Sequence, residues 1–490
     1  MTVVVLVLAA AHLACLLFSV ARRVTFPFDY DWLEGAQLLQ GYRLAHGLPI
    51  YGPVDHGFMA APYPPVQPAI VALLGSIFGF DFWVGRIVSI GALVAITVLF
   101  VKTVWRESAT TSQRLVLTAM AAATAGVAYP ALWGYLDMAR VDSLAFAWVV
   151  AAGYLVASDG IVRSDWRYRI GLAAALFLAV YTKQNNAFFA IAAIVALGFR
   201  NVRQAVRVAV IFGAVSLAAL VVFQLATHGW FMKWMLVMRG HPLVASHLPD
   251  GIAHALEASP LTPVVPVLAL WLTAKRALST STKVWLAMWL AALPACALPI
   301  LAEGGARNSL ISISLLSGLV AMLLVGDLLR AYPRPWAAHG IGVALAALLA
   351  VFLPAHFESP GFVKSLVPSA RDREDVAKLH DVIRALPGNV IFPLFPFVAL
   401  RDGKTDSQFS LIAYFDATER GHIPGDMPAA LQSREAPWVV MYGGYNVENW
   451  VATWAGSSYV LDREIPLDYH ACYREHSDTV KIFRRIDGAP

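Results

Sequence analysis

Charge and cysteine are what this chain has least of. Only 14% of its 490 residues are charged, against 58% that are hydrophobic. A water-soluble globule carries about a quarter charged residues to cover its surface. The mean hydropathy is +0.62, so water is excluded as the solvent for most of the chain. Three cysteines, Cys15 and Cys296 in apolar blocks and Cys472 alone near the C-terminus, make neither a disulfide framework nor a cysteine zinc site. The net charge is only +5. Basic residues stand in short clusters between apolar blocks, not on one face, which excludes nucleic acid as a partner. Also missing are a basic leader and a small-x-small cleavage site around MTVVVLVLAAAHLACLLFSVARR, so this segment reads as a retained first helix.

What is present is apolar runs of membrane-crossing length, roughly 20 residues each. They fall at residues 3–22, 84–104, 115–133, 143–158, 169–182, 187–199, 206–226, 260–274, 284–302, 310–329 and 338–354. The expectation is an α-helical polytopic membrane protein with about eleven spans. A further run at 66–79, VQPAIVALLGSIFG, is shorter and follows two prolines. If it lies in the interface without crossing, five basic loops share one side: Lys102/Arg106/Arg114, Arg163/Arg167/Arg169, Arg200/Arg203/Arg207, Lys275/Arg276/Lys283 and Arg330/Arg334. The positive-inside rule makes that side cytoplasmic, along with the N-terminus. Arg22 and Arg23, at the outer end of the first span, go against it. The chain therefore divides into a membrane domain, 1–354, whose first external loop (23–83) holds interfacial helices, and an external domain, 355–490. In the latter a helix at 371–386 and strand candidates in NVIFPLFPFVAL, at 438–444 and at 479–486 predict a small α/β unit.

The inner loops are basic and plain, whereas the outer loops mix acids, bases, amides and aromatics. In FPFDYDWLEGAQLLQGYRLAHGLPIY (26–51), Asp31 is placed to N-cap a helix from Trp32, with Glu34 at its third position. Capping does not account for a third acid, Asp29, among aromatics at a membrane surface, where carboxylates are costly unless partnered or functional. A carboxylate there can take the proton of an acceptor hydroxyl as it attacks a sugar's anomeric carbon. A phosphate leaving group needs cations and amides at the same depth, and Arg140, Lys183, Gln184, Arg307 and Asn308 are available. Snorkelling alone explains Lys183 or Arg307 singly; it explains less well a Lys-Gln-Asn-Asn sequence that interrupts an apolar hairpin. Asp137 and Asp142 flank Arg140, either as local salt bridges or with Asp142 as a second acid that orients the acceptor or helps hold a metal. A divalent cation, Mg or Mn, is the one cofactor this chemistry leaves open; no dense acidic cluster calls for it. His241 and His247 lack ligand spacing.

The run Asp31-x-x-Glu34-Gly35, Arg43-Leu44-x-x-Gly47-x-Pro49-Ile50-Tyr51, Tyr63-Pro64-Pro65, Phe78-Gly79 and Gly85-Arg86 resembles the start of GT-C superfamily membrane glycosyltransferases, which include aminoarabinose transferases and protein O-mannosyltransferases. Arg140-Val141-Asp142 is similar to the second external-loop acid of that group, Thr182-Lys183-Gln184 to its lysine-bearing loop, and Gly304-Gly305-Ala306-Arg307-Asn308 to a donor-phosphate segment. The resemblance covers residues 1–200 well and 300–330 weakly. It departs where many members have two adjacent acids, because Trp32 and Leu33 here intervene before Glu34; that keeps both Asp29 and Asp31 eligible, with the spacing to Glu34-Gly35 favouring Asp31. The resemblance implies an inverting glycosyltransferase of a bacterial inner membrane, working on its periplasmic face. It would move a hexosyl or pentosyl unit from a polyprenyl-phosphate donor to a hydroxyl of a lipid, glycan or protein acceptor. Asp31 or Asp29 would be the base, Glu34 and Asp142 would assist, Lys183, Arg140, Arg307 and Asn308 would hold phosphate, and Tyr63 and Gln184 would touch substrate. The rival expectation is a transporter or flippase, which places ionisable groups on broken helices in repeated halves.

Overall fold

The computed structural model describes residues 1–53, 60–162, 165–237, 243–302, 305–357, 366–404, 436–442, 459–467 and 479–486. Asp55, Arg163, Arg239, His241, Glu303, Gly304, Gly443, Gly444 and Cys472 lie outside them. Every apolar block expected to span is a helix, but of varied length. The first domain runs α1 (Thr2–Arg23), α2 (Trp32–Ala45), α3 (Val66–Phe78), α4 (Phe82–Glu107), α5 (Thr111–Ala128), α6 (Val141–Ala157), α7 (Asp159–Val162), α8 (Trp166–Thr182), α9 (Ala187–Arg200), α10 (Val202–Ala226), α11 (Trp230–Met232), α12 (Leu248–Ala258), α13 (Val264–Ala274), α14 (Thr280–Leu301), α15 (Ile311–Ala331) and α16 (Pro335–Phe352). Among the described residues, six helical segments are long and apolar enough to cross a membrane by themselves: α1, α4, α10, α14, α15 with the 3₁₀ turn before it, and α16 with the turn after it. The other expected spans are 11 to 18 residues long.

The bundle has a clear centre and rim. The span Arg307–Ala331 is 94% buried in protein, whereas Val202–Ala226 is only 6% buried and shows its apolar surface outward. A helix that is apolar all round belongs in a core or in lipid, and these two occupy one setting each. α3 has 13 residues, about 20 Å of helix, less than a ~30 Å hydrocarbon core, and α13, an expected span, is shorter still at 11 residues. α3 packs on α2 and exposes Leu73, Ile77 and Phe78.

Beyond the bundle lie α17 (Ala370–Ala385), α18 (Pro396–Arg401) and the strands β1 (Val390–Ile391), β2 (Trp438–Tyr442), β3 (Tyr459–Pro466) and β4 (Thr479–Arg485). The sheet order is β1-β2-β4-β3, with β1 parallel to β2 and the other pairs antiparallel. The expected strand across 389–400 ends after Ile391. Pro393 and Pro396 cannot donate to a ladder, and Pro396 instead starts α18 at a position where its missing N–H costs nothing.

Candidate active site

Five separated segments bring polar side chains to one buried cluster. Asp31 N-caps α2, accepting from Leu33 N at 3.1 Å. The same carboxylate pairs with Arg140 and accepts from Tyr135 Oη at 2.9 Å. Arg140, the residue before α6, also donates to Asp142 Oδ2 at 3.2 Å and reaches the Tyr63 hydroxyl at 3.4 Å. Asp142, in the first turn of α6, suits a helix N-terminus. Its Oδ1 accepts from Lys183 Nζ at 2.6 Å and from Asn308 Nδ2 at 2.9 Å. The cluster therefore runs Asp31–Arg140–Asp142–Lys183/Asn308, and each member is at least nine-tenths buried.

The Lys-Gln-Asn-Asn turn explains itself residue by residue. Lys183 ends α8 in extended conformation, and Gln184–Asn186 form one 3₁₀ turn before α9. Gln184 Nε2 donates to Pro62 O at 3.1 Å, which ties the turn to the segment carrying Tyr63. Asn185 Nδ2 donates to Ala295 O at 2.9 Å in α14. That carbonyl is free because residue 299, which would donate to it in a regular helix, is proline. Asn186 Nδ2 closes back on Ala179 O at 3.2 Å.

Three candidates sit elsewhere. Glu34 is fully buried and takes four donors: Arg86 Nε at 3.0 Å and Ala139 N at 2.6 Å on Oε1, Tyr30 N at 2.7 Å and Arg86 Nη2 at 2.9 Å on Oε2. Burial opposes its ionisation, but Arg86 and the backbone donors outweigh that and hold Glu34 below the usual carboxylate range. Asp29 is fully buried behind α2, with Oδ1 accepting from Gly35 N at 2.6 Å. Burial, and then Glu34, raise Asp29 well above the usual carboxylate range; the Gly35 amide and Arg86 pull the other way without compensating. A Cβ on Gly35 would stand 2.8 Å from Asp29 Oδ1 and 3.0 Å from Phe397 Cβ, so glycine is what lets Asp29 reach the backbone here. Arg307 points away from Asn308. It donates to Ala131 O at 2.8 Å, pairs with Glu257 at 2.9 Å, meets His254 Nδ1 at 2.9 Å and covers the Trp133 ring at 4.1 Å.

Sequence reasoning gave Tyr135 no part, and Arg23 and Arg86 no structural role. Arg23, the apparent exception to the charge rule, is 1% exposed and pairs with Asp137 at 3.0 Å, while Tyr129 Oη donates to the same carboxylate at 3.2 Å. It is a buried ion pair, not a topology signal. Asp137 thus belongs to Arg23 and not to Arg140. Arg86 donates to the carbonyls of Arg23, Phe26 and Phe28 as well as to Glu34. Gly85 before it lets α4 close on its neighbours, since a Cβ would lie 2.6 Å from Ala139 Cβ. The available signal was an arginine one turn inside an apolar span, which is costly without partners.

Among the described residues, no three His, Cys, Asp or Glu side chains come together as a metal-ligand group. Both Asp142 oxygens face cationic or amide donors already. Beside Asp142, Lys183 and Asn308 lies a cavity of about 20 Å³, bounded also by Phe146, Asn186 and Ser312. That is room for one water, not for a sugar.

Residues 62–231 match the family model described as dolichyl-phosphate-mannose-protein mannosyltransferase. The matched stretch includes Tyr63, Arg140, Asp142, Lys183 and Gln184 but not Asp31 or Asn308. No curated protein matches the sequence. Two solved structures of ArnT from Cupriavidus metallidurans are similar along the whole chain. With the one bound to undecaprenyl phosphate the TM-score is 0.58 at 13% identity, covering 99% of this chain and 98% of that one. With the apo state it is 0.57 at 12%, covering 96% and 97%. At such identity the likeness is one of fold alone.

Proposed function

We propose that this chain, a multi-pass membrane protein with the GT-C glycosyltransferase fold, transfers one sugar from a polyprenyl-phosphate carrier to an acceptor hydroxyl, inverting the anomeric centre. The carrying observation is the Asp31–Arg140–Asp142–Lys183/Asn308 cluster, which joins an acid to cations and an amide in one buried place. The ArnT structure with undecaprenyl phosphate supports a polyprenyl-linked donor. The positive-inside rule applied to the basic loops supports the reading that the cluster end faces the periplasmic or outer side of a bacterial inner membrane.

The acceptor oxygen attacks the anomeric carbon from the side opposite the phosphate. A new carbon–oxygen bond forms and the carbon–oxygen bond to phosphate breaks, its electron pair leaving on phosphate. The acceptor's proton passes to Asp31 and then to water. Asp31 has a place for it: among the described residues, Oδ1 takes Leu33 N and Arg140 and Oδ2 takes Tyr135, which leaves one lone-pair direction on Oδ2. The charges balance through the step. Asp31 and Asp142 face Arg140 and Lys183, two charges of each sign. As Asp31 is neutralised, Arg140 loses one partner while the leaving phosphate gains negative charge. Arg140, Lys183 and Asn308 stabilise that charge. Tyr63, beside Arg140, and Gln184, tied to Pro62 O in the Tyr63 segment, are the residues we assign to substrate contact. Asp29 and Glu34 hold the loop and do not touch substrate. Arg307 fastens α12 to the loop bearing Trp133.

The donor set does not favour a divalent ion, because Lys183, Asn308 and Arg140 fill the places around Asp142 that such an ion would take. Transfer is therefore expected to survive chelation. The test is purified protein with a panel of polyprenyl-phosphate sugars and lipid, glycan and peptide acceptors, wild type against Asp31→Asn, with and without chelator. The reading requires transfer by wild type and loss by Asp31→Asn. No transfer from any donor sinks the enzyme class, and full transfer by Asp31→Asn sinks the base.

A further inference from the structure

Residues 24–31 connect the end of α1 to Asp31 and contain little regular structure, so their shape depends on what holds their carbonyls. Arg86, on α4, takes two of them, Phe26 O at 2.6 Å and Phe28 O at 2.6 Å, and also Arg23 O at 3.0 Å at the end of α1. The carbonyl between Phe26 and Phe28 goes elsewhere. Pro27 O lies 2.9 Å from His380 Nε2 on α17, in the unit beyond the membrane bundle. Proline has no N–H, so this carbonyl is the only backbone polar group by which residue 27 can be held.

His380 is itself fixed. Its Nδ1 is 2.7 Å from Asp402 Oδ2, with both side chains 2% exposed. A carbonyl only accepts, so Nε2 carries a proton and donates to Pro27, while Nδ1 shares a proton with Asp402. Asp402 Oδ1 takes Arg384 Nε at 3.2 Å. Arg401, the residue before Asp402, pairs with Asp81 at 3.1 Å, and Asp81 caps α4 by accepting from Phe82 N at 2.6 Å. The two grips on the loop are therefore braced against each other. Apolar contacts follow the same line: Phe28 packs on Phe395 at 4.7 Å and Phe82 on Phe397 at 5.2 Å.

We infer that His380, oriented by Asp402, is a positioning residue for Asp31, and that segment 366–404 completes the active site by gripping the loop on the side Arg86 does not reach. The inference rests on Asp31 as the base. It gives the unit beyond the bundle a catalytic duty without any contact to substrate.

The experiment compares full-length His380→Ala and His380→Gln with wild type, in transfer kinetics and in hydrogen exchange of the amides of Tyr30 and Gly35. Glutamine keeps an N–H that can reach Pro27 O. For the alanine variant the expected result is a fall in kcat of about tenfold, the equivalent of one buried hydrogen bond. Donor KM stays within about twofold, and the Tyr30 and Gly35 amides exchange about tenfold faster. Glutamine restores most of both. Wild-type exchange in the alanine variant overturns the inference. So does faster exchange spread equally over α17 and the sheet with no rescue by glutamine, which is simple unfolding of the unit. If wild type itself transfers from no donor, the enzymatic reading fails while the exchange comparison still decides whether His380 holds the loop.

Discussion

Replacing Glu34 by glutamine separates a structural acid from a catalytic one. The two carboxylate oxygens of Glu34 each accept two bonds, from Arg86 Nε and Ala139 N on one and from Tyr30 N and Arg86 Nη2 on the other. Glutamine offers one oxygen and one NH₂. Whichever way the amide turns, two donors face a donor, one of them a nitrogen of Arg86. Each lost bond involving a charged group is worth roughly 1.5–3 kcal/mol, and removing one partner of a buried ion pair costs about 3–5 kcal/mol in all. Glu34→Gln should therefore lower the thermal midpoint in detergent by far more than Asp31→Asn does, and an apolar partner change at Arg86 should not add its full cost to that of Glu34→Gln. Turnover per folded molecule should fall less than in Asp31→Asn. The assay is thermal unfolding of purified protein beside transfer rate corrected for folded fraction. A Glu34→Gln variant that melts like wild type yet transfers nothing would refute the reasoning and return Glu34 to the chemistry.

Further outcomes follow from the same geometry. Asp29 is raised above the ordinary carboxylate range by burial, so the fold favours its neutral form; the stability it contributes is fully present below about pH 4 and is lost as pH rises through its raised value. Asp29→Asn should thus gain on wild type in thermal midpoint as pH climbs, and a gap that is flat or shrinks contradicts this. Lys183→Met should raise donor KM about 10- to 100-fold. Adding Asp142→Asn should recover stability but not donor affinity, as measured by donor titration and melting of both variants. Gly35→Ala should cost about 1–3 kcal/mol through overpacking against Asp29 and Phe397, visible as a lower midpoint; an unchanged midpoint means that contact gives way freely.

Much of the bundle was legible because apolar runs of this length have one stable form in lipid. The run at 66–79 forms one helix, α3, of 13 residues. The second domain was read less well for local reasons. β3 is an edge strand, and its exposed Asp462, Arg463 and Glu464 give no alternating pattern, while prolines cut the segment after Ile391. At the site, Arg140, Asp142, Lys183 and Asn308 were found from residue type and loop position. The partners of Arg23 and Arg86 were not, since the pairing of Arg23 with Asp137 and of Arg86 with Glu34 joins residues 114 and 52 positions apart, and no spacing rule reaches that far. The same distance explains why Asp29, Asp31 and Glu34 looked alike: their neighbours, not their own sequence, send one to the cluster and two to the scaffold.

Asp142 also sets an order of events during synthesis. Its segment is made long before Lys183, and Lys183 long before Asn308, so an acid destined for the interior waits for two later arrivals. Until the turn ahead of α15 is in place, Asp142 lacks one of its stabilising contacts. A chain stopped earlier would carry an under-satisfied carboxylate among apolar helices, and that kind of defect is costly inside a membrane. The donor set around Asp142 is thus complete only once residues from α6, the turn after α8 and the turn before α15 are packed together.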